Sequence, residues 1–150
     1  MINFIPSKGI LKETEIDFDL LGEICTKIFE NGFNRKINID VKVWKSRVKE
    51  QSSMERISRG LRSYKMELDT VGNKRYVFGS ILHELRHAFQ EYIFGFTHIA
   101  RFASYSAYYN SKEEKDARKQ EKLTTEVMKI YDAFKNAEEK FERFDLKELG

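Results

Sequence analysis

Apolar residues recur along the chain at two spacings, and the spacing changes from segment to segment. Between Asp19 and Asn31, Leu20, Leu21, Ile24, Cys25 and Ile28 return every three or four residues, which predicts a helix burying one face. Gly32 follows where a left-handed C-terminal cap is expected. Residues 10–18 ahead of this helix read as an extended lead-in. From Ile37 to Trp44 the period drops to two. Ile37, Ile39, Val41 and Val43 alternate with polar neighbours, and β-branched residues at each inward position predict a half-buried strand. Residues 45–56 are polar and charged and read as a loop or a short helical excursion. Arg56 to Asp69 alternates again through Ile57, Leu61, Tyr64, Met66 and Leu68, as one long strand or two, with Gly60 at a bulge. Gly72-Asn73 signals a turn between Thr70 and Lys74. A second helix is expected from Tyr76 to Phe94, ended by Gly95.

The remainder reads as helical. Phe96, Phe102, Tyr105, Tyr108 and Tyr109 make the next stretch aromatic, as in a helix packing on its predecessor. A sharper alternative has Tyr105, Tyr108 or Tyr109 lining a cleft and donating a hydrogen bond to an oxyanion. Ser111 stands three residues before Glu114, the spacing of a capping box, and opens a long helical region over 111–149. Within it Leu123, Val127, Ile130, Phe134, Ala137, Phe141 and Phe144 are spaced alternately four and three apart, a heptad seam. Phe is bulky for a two-stranded seam and Ala137 leaves a gap. The seam is therefore expected to dock on its own domain, favouring a monomer, with a dimer through this helix as the alternative. Together these elements predict an α+β fold. It has an N-terminal helix, a short, mainly antiparallel twisted sheet, a central helix, a following helix and a long C-terminal helix.

Composition narrows the class. The 150 residues suit one domain over 1–150, and 41% hydrophobic with 34% charged residues suits a globular chain. A net charge of +3 is too small for the electrostatic footprint of nucleic-acid binding, so no nucleic-acid partner is expected. The single cysteine, Cys25, excludes an intrachain disulfide and a thiolate-rich metal site, and its place on the apolar stripe marks it as core. No apolar run is long enough for a bilayer, and Met-Ile-Asn-Phe-Ile-Pro lacks the layout of a secretory signal. A cytoplasmic protein without a membrane partner is expected.

Candidate chemistry sits in the central helix, at Ile81-Leu82-His83-Glu84-Leu85-Arg86-His87-Ala88-Phe89-Gln90. With about 100° per residue, His87 falls about 40° from His83, so both imidazoles reach one metal ion. Ile81, Leu82, Leu85, Ala88, Phe89 and Tyr92 fall between about 140° and 260° from His83, so the imidazoles point away from an apolar stripe. Gly79 falls on the His side and leaves that surface low. Glu84, about 100° from His83, is placed to take a proton from water rather than to bind the metal. A catalytic zinc needs three protein ligands and one open position. Glu91 is on the same helix, and three ligands in a row splay too far to close round one ion, so the third comes from another element. His98 does not fit an extended three-histidine pattern, because Ile93 stands six residues after His87. Glu113, Glu114 and Asp116 are the candidates, with Glu121 an outsider, and helix geometry alone does not choose between Glu113 and Glu114.

The pair of motifs His83-Glu84-x-x-His87 and Glu113-Glu114-Lys115-Asp116-Ala117 resembles those of the zincin metallopeptidases, the gluzincin branch in particular. More closely, it is similar to small ImmA/IrrE-type domains and related phage-borne or mobile-element proteins, whose second motif reads roughly Glu-x-Glu-Ala-Asn or Glu-x-Asp-Ala. The resemblance spans about residues 60 to 121. It implies a small zincin-like domain with one Zn2+ held by His83, His87 and Glu114. Asp116 would then fix the tautomer of a ligand imidazole, or replace Glu114 as ligand, as Glu113 also would if the alignment shifts by one. It implies a zinc-dependent peptidase with Glu84 as general base, acting on a protein or peptide inside the cell, or in the host cytoplasm if phage-encoded. The substrate would add as a strand to a sheet edge, for which Arg56–Asp69 is the candidate. The alternative is a regulatory or virion-associated module that keeps the metal and binds a protein partner without cleaving it.

Overall fold

A computed structural model of the chain describes residues 1–48, 51–57, 62–94, 114–115 and 123–149. Among these the elements run β1 (Ile2–Pro6), α1 (Lys8–Thr14), α2 (Phe18–Phe33), β2 (Ile39–Lys45), β3 (Ser53–Arg56), β4 (Ser63–Leu68), α3 (Lys74–Phe94) and α4 (Thr124–Leu149). The fold is α+β.

The expected alternation in the second strand produces a one-sided sheet. Ile37, Ile39, Val41 and Val43 are buried to within 1% of complete, whereas Asp40, Lys42 and Trp44 are exposed. Met54 of β3 and Tyr64, Met66 and Leu68 of β4 extend the same buried face. The sheet order is β1-β2-β4-β3. It is mixed rather than mainly antiparallel: β1 with β2 and β2 with β4 are parallel, and only β3 with β4 is antiparallel. The connections explain the difference. The chain between β1 and β2 carries α1 and α2, long enough for the crossover that parallel pairing requires. After β2 it passes to the edge as β3 and returns as β4 into the space between. The alternating pattern records which face is buried but not strand direction, and β1 and β3 are too short to register in it. Residues 45–56, expected to be loop or helix, thus contain an edge strand. The Arg56–Asp69 segment supplies an interior strand, while Gly60 lies outside the described residues.

The lead-in before α2 is helical where extended chain was expected. Ser7 caps α1 by accepting the Ile10 N–H at 3.2 Å, and Glu15 ends it in the left-handed region at φ 53°. Only Ile10 of this short helix is buried, so no periodic signal was available. Asp17 caps α2 by accepting the Leu20 N–H at 3.1 Å. The C-terminal cap is Asn34 at φ 51°, not Gly32, which lies within the helix with open space where a Cβ would be. Asn tolerates this conformation better than other residues with a Cβ. The helix lies close on β1: a Cβ on Gly22 would come within 2.7 Å of the Ile2 carbonyl oxygen. One turn on, Thr26 Oγ1 accepts the Ile2 N–H at 2.8 Å and donates to the Gly22 carbonyl at 2.6 Å. Cys25 is fully buried in this core, as expected.

α4 docks through its first two turns. Thr124, Val127 and Tyr131 are buried, with Leu123, Met128 and Ile130 packed at the edge. Phe134 is 54% exposed and Ala137 is exposed, so the seam is open to solvent at these two positions. The side chains of Phe141 and Phe144 lie outside the described part. No helix among the described residues is long and apolar enough to cross a membrane.

Candidate metal centre

α3 starts at the predicted turn. Asn73 Oδ1 accepts the Tyr76 N–H at 2.9 Å and the Asn73 carbonyl accepts the Val77 N–H at 3.2 Å. Of the expected apolar stripe, Ile81, Leu82, Leu85, Ala88 and Phe89 are at most 1% exposed, Phe78 extends it one turn back, and the side chain of Tyr92 lies outside the described part. Phe89 meets Phe29 of α2 at a ring separation of 4.5 Å. Burial of that stripe against α2 and the sheet fixes the rotation of α3. It leaves His83 and His87 together on the other side, with ring centroids 4.9 Å apart and planes at 76°.

Glu114, from a short helical stretch at residues 114–115, brings its carboxylate across both rings. Its Oε1 lies 2.9 Å from His83 Nε2 and its Oε2 lies 2.9 Å from His87 Nε2. The second approach has hydrogen-bonding distance without hydrogen-bonding alignment. All three side chains are largely enclosed, at 13% exposure for His83, 6% for His87 and 7% for Glu114. One ligand atom from each lies within 4.8 Å of the others.

This donor set fits a divalent ion. Metal–ligand bonds of about 2.0–2.1 Å in a tetrahedron put donor atoms about 3.3 Å apart, a spacing between the 2.9 Å contacts of the carboxylate and the 4.8 Å within which all three donors lie. Two neutral imidazoles and a carboxylate sum to one negative charge, which a divalent ion more than offsets. Without a cation, a carboxylate in such a place bears a desolvation cost. Glu84, next to His83 on the helix, is 6% exposed, an uncommon degree of burial for a glutamate.

Of the predicted site residues, the structure thus brings together His83, His87 and Glu114, and Glu84, next to His83 in sequence, is buried. Glu113, Asp116, Glu121, His98, Tyr105, Tyr108 and Tyr109 lie outside the described residues, as does the side chain of Glu91. Sequence reasoning placed Gly79 on the histidine face but did not follow that face on to Ser80 and Tyr76. Tyr76, Ser80 and Gly79 are seven, three and four residues before His83, which puts them within about 60° of it around the helix. A cavity of about 360 Å³ lies there, lined by Asn73, Arg75, Tyr76, Gly79, Ser80 and Thr124. The helical projection that grouped the two histidines would have found it if carried two turns back.

No protein-family model, curated protein or solved structure matches the chain significantly.

Proposed function

We propose that the protein is a zinc-dependent peptidase. The observation that carries this reading is the convergence of His83, His87 and Glu114 with Glu84 buried alongside on the same helix. When bound, the zinc would act as a Lewis acid that polarises a scissile carbonyl and acidifies water. Glu84 takes a proton from the attacking water as hydroxide adds to the carbonyl carbon, and returns it to the amine nitrogen as the C–N bond breaks. His83 and His87 are held by the rotation of α3, and Glu114 reaches them from a separate part of the chain. The ligand geometry therefore depends on the packing of the fold. The substrate strand would lie along β3 rather than along the segment favoured from sequence, because β3 is a sheet edge, packs on α3, and β4 is already paired on both sides.

The test combines metal content with cleavage. The purified chain should bind about one zinc per molecule. The zinc-loaded chain should cut members of a mixed peptide pool, as seen by mass spectrometry, and Glu84→Gln should abolish cutting while keeping the zinc. Full zinc occupancy with no cutting of peptides or folded proteins would favour a metal-binding module that does not hydrolyse.

A further inference from the structure

The cavity at the start of α3 adjoins the metal centre. Gly79 and Ser80 are each one helical turn before His83 and Glu84, a displacement of about 6 Å along the axis. Gly79 and Ser80 line the cavity on the turn of α3 before the histidines, and across from them stands Thr124, whose Oγ1 is 3.5 Å from where a Cβ on Gly79 would sit. An extended peptide advances about 3.3–3.6 Å per residue, so a substrate with its scissile bond at the metal places the side chain one or two residues away over this cavity.

The lining selects the chemistry of that side chain. Among the described lining residues, Asn73, Tyr76, Ser80 and Thr124 supply polar groups, Arg75 carries the charge, and none of these six carries a carboxylate. Arg75 Nη1 donates to Thr125 Oγ1 at 2.6 Å, so the first turn of α4 holds the guanidinium at the rim. A guanidinium has five N–H donors in a planar fork, and this contact uses one nitrogen of it. Arg75 makes no ion pair among the described residues. By contrast, the adjacent Lys74 is tied to Asp132.

We infer that this cavity is a specificity pocket for a carboxylate of the substrate, with Arg75 as its recognising group. The carboxylate belongs either to an Asp or Glu side chain near the scissile bond or to a peptide's C-terminus; the chemistry on the protein side is the same. The inference rests on the peptidase reading, but binding tests it separately from hydrolysis.

The experiment uses zinc-loaded Glu84→Gln protein and fluorescein-labelled heptapeptides, blocked at both ends and identical except for Glu, Gln, Asp, Asn, Lys or Leu at the centre. A second pair carries Gln at the centre and ends in a free or an amidated C-terminus. Fluorescence anisotropy should show at least about tenfold tighter binding of a carboxylate-bearing peptide than of its amide counterpart. The central series and the terminal pair tell the two sources apart. Arg75→Ala should erase the preference and Arg75→Glu should reverse it toward Lys, with zinc content and far-UV circular dichroism unchanged; Arg75→Lys should retain part of it. Equal binding of acid and amide peptides, no binding of any peptide, or a preference untouched by Arg75→Ala would overturn the inference. Cleavage by the parent protein without acidic preference would sink the pocket assignment but not the peptidase, whereas an Arg75-dependent preference without any cleavage would do the reverse.

Discussion

Tyr131 Oη accepts the backbone N–H of Asp17 at 2.9 Å. The bond joins the C-terminal helix to the residue that caps α2, across 114 positions of sequence. The Tyr131 ring also packs edge-on against Phe78 of α3 at 5.2 Å. One side chain therefore ties α4 to both helices that frame the core, and α3 is the helix that carries the histidines. Tyr131→Phe should cost about 0.5–1.5 kcal/mol, the net worth of one hydrogen bond. Tyr131→Ala should cost about 3–5 kcal/mol, as for other large buried aromatics. Urea denaturation of the two variants measures both, and equal midpoints for Phe and Ala would show that the ring is not packed.

The triad predicts a hierarchy of metal loss. His83→Ala, His87→Ala and Glu114→Ala should each bring zinc content well below one per chain under a competing chelator. Asp116→Ala should show a smaller loss, typical of a group that only orients a ligand. Zinc at a hundredfold excess over Kd should stabilise the parent by about 2.7 kcal/mol. That raises the melting temperature by several degrees at about 2–4 °C per kcal/mol. Calorimetry of the metal-free and loaded forms checks this. Glu114→Ala binding like the parent, with Glu113→Ala failing, would mean the carboxylate contact seen here is not the ligand contact.

How much of this site was legible in sequence depends on the residue. His83, Glu84 and His87 share one helix, so their relation follows from 3.6 residues per turn and is visible in the letters. Glu114 lies 27 positions past His87 and reaches it by tertiary folding, which no periodicity reports. Only the resemblance singled it out. The fold divides in the same way. β2 and α3 have long apolar patterns and were read nearly in full. β1, α1 and β3 each bury one or two side chains and gave no period to read. Parallel pairing of β1 with β2 and of β2 with β4 depends on connection topology, and the close approach at Gly22 depends on a neighbour in space.

Cys25 supplies a pH test. Complete burial pushes its thiol up to about 12 from an ordinary value of 9.0. At neutral pH the thiol is protonated and enclosed, so the native protein should resist a thiol-specific disulfide reagent and react fully once unfolded. Because the folded state holds this proton more tightly, the associated stability is complete below about pH 9 and is lost as pH rises toward about 12. Cys25→Ala should flatten the part of the alkaline stability profile due to this group. A native thiol that reacts at the free-cysteine rate would contradict its burial.

The last prediction separates the two halves of α4. The heptad seam places Val127 and Phe134 in one row, but among the described side chains Tyr131 is the last buried position of this helix. A straight helix drifts about 20° per heptad against a strict seven-residue repeat, and the buried positions Thr124, Val127 and Tyr131 follow the surface of α3 instead. Past that point Lys135, close to Asp17 at 3.4 Å and Glu138 at 3.2 Å, takes over at the edge, with solvent-exposed ion pairs that contribute little. Val127→Ala should therefore destabilise the monomer by about 1–3 kcal/mol, from the lost burial of two methyl groups and the gap they leave. Phe134→Ala should shift it by no more than about 0.5 kcal/mol, the range of an exposed substitution. Truncation after Lys122 removes Thr124, Val127 and Tyr131 together and should lower stability by more than Val127→Ala does. Light scattering on the same proteins checks the alternative from sequence. A parent dimer that becomes a stable monomer on Phe134→Ala would mean that the exposed face at Phe134 is an interface between copies, and a monomer throughout would leave docking within the chain as the role of the seam.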